Sequence, residues 1–144
     1  MWSTEIENIL KTSKNFLGCF PLDELPNFPQ RLPASLIVNT DTSIGNGDHW
    51  LALVLEKDEC FYFDSFGLPI VEEYILKFLE PHYNVVTYSD VCIQHIGSHK
   101  CGEFSILFVK HVNSKITYDK FLSHFNHFNL KENDVIVEQW MGNV

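Results

Sequence analysis

Residues 93–111 read I-Q-H-I-G-S-H-K-C-G-E-F-S-I-L-F-V-K-H, from Ile93 to His111, and the rest of the chain is read outward from them. A polar loop containing Gly97 delivers Cys101, and the apolar residues Phe104, Ile106, Leu107 and Phe108 follow at once. That run predicts the buried face of a helix whose first turn carries the cysteine. A thiol there meets backbone N–H groups that lack an intrahelical acceptor, and the positive end of the helix macrodipole. Both favour thiolate, the form that attacks carbonyl carbon. Cys101 is therefore a candidate nucleophile that requires a base.

The flanking sequence predicts a small sheet to support it. Ser35–Asn39 (SLIVN), His49–Leu55 (HWLALVL), Cys60–Asp64 (CFYFD) and Asn84–Ser89 (NVVTYS) have the apolar, β-branched and aromatic content of strands. Lys57-Asp58-Glu59 supplies a hairpin turn between the second and third. Thr4–Leu17 reads as a helix, with Thr4 and Glu7 as a capping box, a stripe of Ile6, Ile9, Leu10 and Leu17, and Gly18 as its stop. Val71–Leu79, closed by Pro81, is amphipathic, as is Thr117–Phe128 with Phe121, Leu122, Phe125 and Phe128 on one side. Four prolines between Pro21 and Pro33 predict an extended loop laid over the domain. Asp134–Trp140 carries the β-branched run Val135, Ile136, Val137 yet fits a helix slightly better than a strand. The order of elements gives an α+β fold, a small central mixed sheet packed by helices, in a single domain over residues 1–144.

Composition narrows the function. A hydrophobic content of 45%, with 12 Phe, 5 Tyr and 3 Trp, supports a true core rather than disorder. The formal charge is −9, and with only 10 Lys and Arg the chain is ill suited to releasing counterions from nucleic acid. No apolar run approaches the ~20 residues of a membrane span. The start, Met-Trp-Ser-Thr-Glu-Ile-Glu, is acidic and lacks a signal core, so a secreted protein is not expected. Cysteines at 19, 60, 92 and 101 show no CxxC pairing and read as reduced thiols.

Among seven histidines, His49 stands out because it opens a strand after Gly45-Asn46-Gly47-Asp48 and precedes Trp50. Asp64 closes the next strand in F-D-S-F-G. If the two strands form a hairpin, the start of one lies near the end of the other, and carboxylate and imidazole become cross-strand neighbours. Asp64 would then hold the ring and leave its other nitrogen for the Cys101 sulfur. Acyl transfer also needs oxyanion donors. The Cys101 backbone N–H is one, and the Gln94 amide, seven residues earlier, is the other. Trp50 and Gly102 complete the expected substrate cleft.

The ordered set G-D-H-W, Y-F-D-S-F-G and Q-H-I-G-S-H-K-C-G-E-F resembles the adenovirus maturation protease family, in the cysteine peptidase clan that also includes SUMO deconjugases. F-L-G-C-F-P (Phe16 to Pro21) and I-V-N-T (Ile37 to Thr40) are similar to it as well, so the resemblance runs from about Phe16 to His111. It implies that the base falls on His49, the acid on Asp64, the oxyanion glutamine on Gln94 and the nucleophile on Cys101. The Gln-to-Cys spacing matches the viral family rather than the deconjugases. The resemblance further implies a monomeric endopeptidase that cuts viral structural polyproteins or capsid precursors, in the virion or in the nucleus or cytoplasm of an infected cell. It needs no metal or other cofactor, although an activating viral peptide remains open. Family members are longer, basic and stimulated by DNA, a property not expected of this acidic chain. Asp64 stands where adenovirus proteases commonly have Glu.

Each residue has a plainer reading. A free cysteine is more often buried and inert than reactive, and Cys19, Cys60 and Cys92 are read as structural. His95, His99 and Cys101 form H-x3-H-x-C, but a zinc site would need a fourth ligand that the spacing does not supply. The alternatives to a maturation protease are a deconjugase of ubiquitin-like proteins and a non-enzymatic virion protein with a degenerate site.

Overall fold

Extended strands rich in Leu, Val and Phe stay buried only if both faces of the sheet are covered, and that is the arrangement found. The structure is a computed structural model that describes residues 1–45 and 47–143. Five strands form one mixed sheet in sequence order: β1 (Phe16–Pro21), β2 (Ala34–Asn39), β3 (Trp50–Leu55), β4 (Cys60–Phe63) and β5 (Val86–Tyr88). The outer pairs β1–β2 and β4–β5 are parallel, whereas β2–β3 and β3–β4 are antiparallel. The expected α+β fold with a small mixed central sheet is therefore present.

Strand alternation sorts the apolar residues onto two cores. Ala52, Val54, Phe61 and Phe63 face a layer built by α1 (Ser3–Leu10), α3 (Cys101–His111), α4 (Lys115–Ser123) and α5 (Lys131–Met141). Leu51, Leu53, Leu55 and Tyr62 face the opposite side, where α2 (Glu73–Leu79) contributes Ile75 and Leu79. The proline-rich segment between β1 and β2 covers the rest of that second face, inserting Leu22, Leu25, Phe28 and Leu32.

α3 is the central helix. Phe104, Ile106, Leu107 and Phe108 are all fully buried, as a helix surrounded on most sides by protein must be. Phe108 stacks on Phe63 of the sheet at 4.6 Å and meets Phe121 of α4 edge-on at 5.5 Å. This aromatic packing fixes the axis of the helix that begins with the candidate nucleophile.

Two helices depart from the sequence expectation. The first helix ends at Leu10 rather than Leu17, and Leu17 and Gly18 belong to β1. Asn15 takes a left-handed φ of 58°, which turns the chain, and pairing of Phe16–Pro21 with β2 outweighs the helical spacing of Leu17. Gly18 is thus a strand residue at φ 131°, not a helix stop. At the other end of α1 the Glu5 carboxylate takes the Trp2 backbone N–H, the role expected of the Thr4–Glu7 pair. α4 is capped by Ser114 and ends at Ser123, short of Phe128. Phe125 is buried past the helix end, but Phe128 is 99% exposed and lies outside the core stripe. The segment expected as a slightly favoured helix over Asp134–Trp140 is helical within α5.

Candidate active site

The β3–β4 hairpin brings the base to the acid. Its register pairs Ala52 with Phe63, and continued outward this sets Asp64 across from Leu51 and His49 across from Phe66. His49 therefore reaches Asp64 along a diagonal rather than directly across, and His49 Nε2 lies 2.8 Å from Asp64 Oδ1. The carboxylate is 7% exposed and the imidazole 13%, so solvent screens the pair weakly. The same carboxylate oxygen accepts the Phe66 N–H at 2.8 Å, and the Phe66 ring stacks on the imidazole at 4.8 Å. With Nε2 committed to Asp64, Nδ1 is the nitrogen left for sulfur.

Cys101 is the first residue of α3. Burial disfavours its thiolate, but hydrogen bonds from His49 and from the Trp50 backbone outweigh burial and hold the thiol below its ordinary range. The imidazole shows the complement: burial favours the neutral ring, yet bonds to Asp64 and Cys101 raise its pKa to about 9. Both shifts act in the direction of a thiolate–imidazolium pair. The other cysteines move the opposite way. Burial pushes Cys19 and Cys60 up to about 12 and also raises Cys92.

Gln94 is 1% exposed, in a loop without regular structure before α3. Its Nε2 donates to the Ser98 carbonyl at 3.0 Å, and its Oε1 accepts the Ser65 hydroxyl. One Nε2 proton is thereby spoken for, and the second has no hydrogen-bond partner among the described residues. Gln94, His49, Trp50 and Cys101 line one cleft of about 730 Å³. The four expected catalytic residues are thus gathered from two strand ends, a loop and a helix start.

Trp50 stands at the cleft wall with its indole N–H donated to the Met1 carbonyl at 3.1 Å. Gly102 differs from expectation: it is buried beneath Met1 and Trp50 rather than lining open space. A Cβ at Gly102 would come within 3.2 Å of Met1 Cβ and Sδ and 3.3 Å of Trp50 Cδ1. Its lack of a side chain lets the indole pack against the start of α3.

Residues the sequence did not single out hold the Gln94 loop in shape. Asn133 of α5, fully buried, donates to the Ile93 carbonyl and the Asn126 carbonyl, both at 2.7 Å, and accepts the Asn126 N–H at 2.8 Å. Asp134 accepts the Ser98 hydroxyl at 2.7 Å, and Glu138 pairs with Lys100 at 3.1 Å. A polar residue facing inward from an amphipathic helix was the only available signal. His95 Nδ1 accepts the Gly97 N–H at 3.0 Å. Among the described residues no three His, Cys, Asp or Glu side chains are grouped to hold a metal.

Comparison with known proteins gives the chain a family. African swine fever virus proteins named SUMO-1 cysteine protease and, in another strain, cysteine protease are 29% identical to the chain over 99 residues. Those matches cover 60% of this chain and 36% of the relatives, so the chain spans little more than a third of their length. A crystal structure of the African swine fever virus protease overlaps with a TM-score of 0.39 and 22% identity, over 67% of this chain and 40% of that one. The family model described as adenovirus endoprotease matches residues 16–136, which take in all five strands and every candidate catalytic residue. The chain belongs to the adenovirus endoprotease family.

Proposed function

We propose that this chain is a cysteine endopeptidase acting on virus-encoded structural precursors. The observation that carries the reading is the gathering of Cys101 at the start of α3, His49 held 2.8 Å from Asp64, and Gln94 around one cleft. The Cys101 pKa goes down and that of His49 up to about 9 beside it, while the other three cysteines go up. In the proposed reaction the Cys101 thiolate adds to the scissile carbonyl carbon, and the negative charge moves onto the carbonyl oxygen. The Cys101 backbone N–H and the remaining Gln94 Nε2 proton stabilise that oxyanion. His49, already protonated, gives its proton to the leaving amine as the C–N bond breaks and the thioester forms. Neutral His49 then takes a proton from water as the water oxygen adds to the thioester carbonyl; the C–S bond breaks, the carboxylic product leaves, and the Cys101 thiolate beside imidazolium is regenerated. Asp64 holds the ring throughout and stabilises the imidazolium.

Capsid or core precursors are the proposed substrates, cut at small residues that suit a cleft bounded by Trp50. Action by a single copy, in the particle or the infected cell, belongs to the same reading, as does a still open role for an activating viral peptide. The name of the swine fever virus relatives, SUMO-1 cysteine protease, favours a second reading, release of a SUMO-like protein from its conjugates. Two substrates separate them: a short capsid-derived peptide with glycine at the cut, and a folded SUMO fusion ending in Gly-Gly. The endopeptidase reading expects cleavage of the first and not the second, with Cys101→Ala inactive but folded. Cleavage of the fusion alone would establish the deconjugase, and full activity in Cys101→Ala would defeat both.

A further inference from the structure

We propose that Ser65 is a positioning residue for the oxyanion hole, acting through Gln94. The proposal rests on the protease reading above and adds a residue to it.

A primary amide presents two ends of nearly equal size and opposite polarity, and only one of them stabilises an oxyanion. If the Gln94 amide turned over, its oxygen would face the developing negative charge and repel it. Two contacts decide its orientation. The Ser98 main-chain carbonyl can only accept, so the group 3.0 Å from it must be Nε2. Ser65, fully buried, then faces Oε1 and must donate its hydroxyl proton there. The hydroxyl has no other hydrogen-bond partner among the described residues, so its single donor is spent on keeping this amide the right way round.

The main chain of Ser65 serves the same loop. Its carbonyl accepts the backbone N–H of Ile93 at 2.9 Å and of Gln94 at 3.0 Å. Ser65 therefore holds both the backbone that carries the glutamine and the amide at the end of its side chain. It also directly follows Asp64, which holds His49. Two consecutive residues thus orient the two halves of the site, Asp64 the proton-transfer half and Ser65 the oxyanion half. A hydroxyl present only to fill a turn would be as well satisfied by a backbone group, as the Ser123 hydroxyl is by the Lys120 carbonyl.

The test is a double-mutant cycle on peptide cleavage by the full chain. Ser65→Ala should lower kcat about ten- to a hundred-fold, with KM changed by less than about two-fold, because an oxyanion donor acts on the transition state more than on bound substrate. Its Cys101 alkylation by iodoacetamide should keep the wild-type rate and pH dependence, since His49 and Asp64 are untouched. In a Gln94→Ala background the same change should cost less than about three-fold, because the amide it orients is gone. Ser65→Cys, which keeps a weaker donor in nearly the same volume, should fall between wild type and alanine and can carry the cycle if Ser65→Ala does not fold. A full loss from the Ser65 change persisting in the Gln94→Ala background, or an unchanged kcat where Gln94→Ala alone is impaired, would overturn the proposal. If wild type cleaves but Gln94→Ala is unimpaired, the oxyanion assignment itself fails, a result distinct from failure at Ser65 alone.

Discussion

His49 Nε2 stands 2.8 Å from Asp64 Oδ1, and that oxygen also takes the Phe66 N–H at 2.8 Å. The acid is held by its own turn as well as by the base, so its position does not depend on the imidazole. Asp64→Asn can keep the Phe66 contact while losing the charge that stabilises imidazolium. The expected result is a fall in kcat of about 10²- to 10⁴-fold, by analogy with an orienting aspartate in a catalytic triad. Folding should be little changed, and steady-state kinetics beside a thermal melt measures both.

The thiolate–imidazolium pair sets a pH window for reactivity. Cys101 lies below its ordinary range, so its alkylation rate should rise at a lower pH than that of an unperturbed thiol. His49 loses its proton near pH 9, so cleavage, which needs the imidazolium as acid, should decline through that value. The stability link has matching signs. The raised His49 pKa stabilises the fold fully below about 6.5, its unfolded value, and this contribution is lost as pH rises through about 9. The lowered Cys101 pKa stabilises above the ordinary thiol value and is lost as pH falls through the folded one. In His49→Ala only burial and the Trp50 bond remain of the main influences, so the alkylation profile should shift to higher pH. An unshifted profile would refute the pair.

Gly102→Ala should separate stability from activity. Alanine is favoured over glycine inside a helix by about 1 kcal/mol, but its Cβ would press within 3.2 Å of Met1 and 3.3 Å of Trp50. The flexible Met1 side chain can yield, so the melt should move little. The indole that walls the cleft would be displaced, and KM for peptide should rise several-fold. Alkylation of Cys101 by a small reagent should be unaffected.

Asn133→Ala removes three hydrogen bonds at a fully buried position and leaves the Ile93 carbonyl and Asn126 N–H without that partner. A loss of about 2–3 kcal/mol is expected from orphaned buried groups, read as a lower denaturant midpoint. The kcat should also fall under native conditions, because the Ile93 carbonyl immediately precedes Gln94, the proposed oxyanion donor.

The site was more legible in the sequence than the scaffold ends were. The place of Cys101 at a helix start could be read because a polar approach and an apolar mount are both local patterns. His49 and Asp64 could be read as strand-end partners because a hairpin relates two nearby segments. Leu17 misled because a single apolar residue at helical spacing carries no information about β2, the strand that captures its neighbours. Phe128 misled for the related reason that helical spacing does not reveal where a helix stops. Ser65 and Asn133 were hidden differently. Serine in F-D-S-F-G reads as a turn former, and asparagine in a polar stretch reads as surface. Their partners, Gln94 and Ile93, lie 29 and 40 residues away, and only the folded chain brings them together.

The loop from Ile93 to Lys100 contains neither strand nor helix, and much of its shape is borrowed from α5 through Asn133, Asp134 and Glu138. Fraying of that one helix would disarm the oxyanion amide while the sheet and the nucleophile's helix stayed assembled. Warming should therefore silence the proposed peptide cleavage before it melts the molecule, so that cleavage fails at a lower temperature than unfolding.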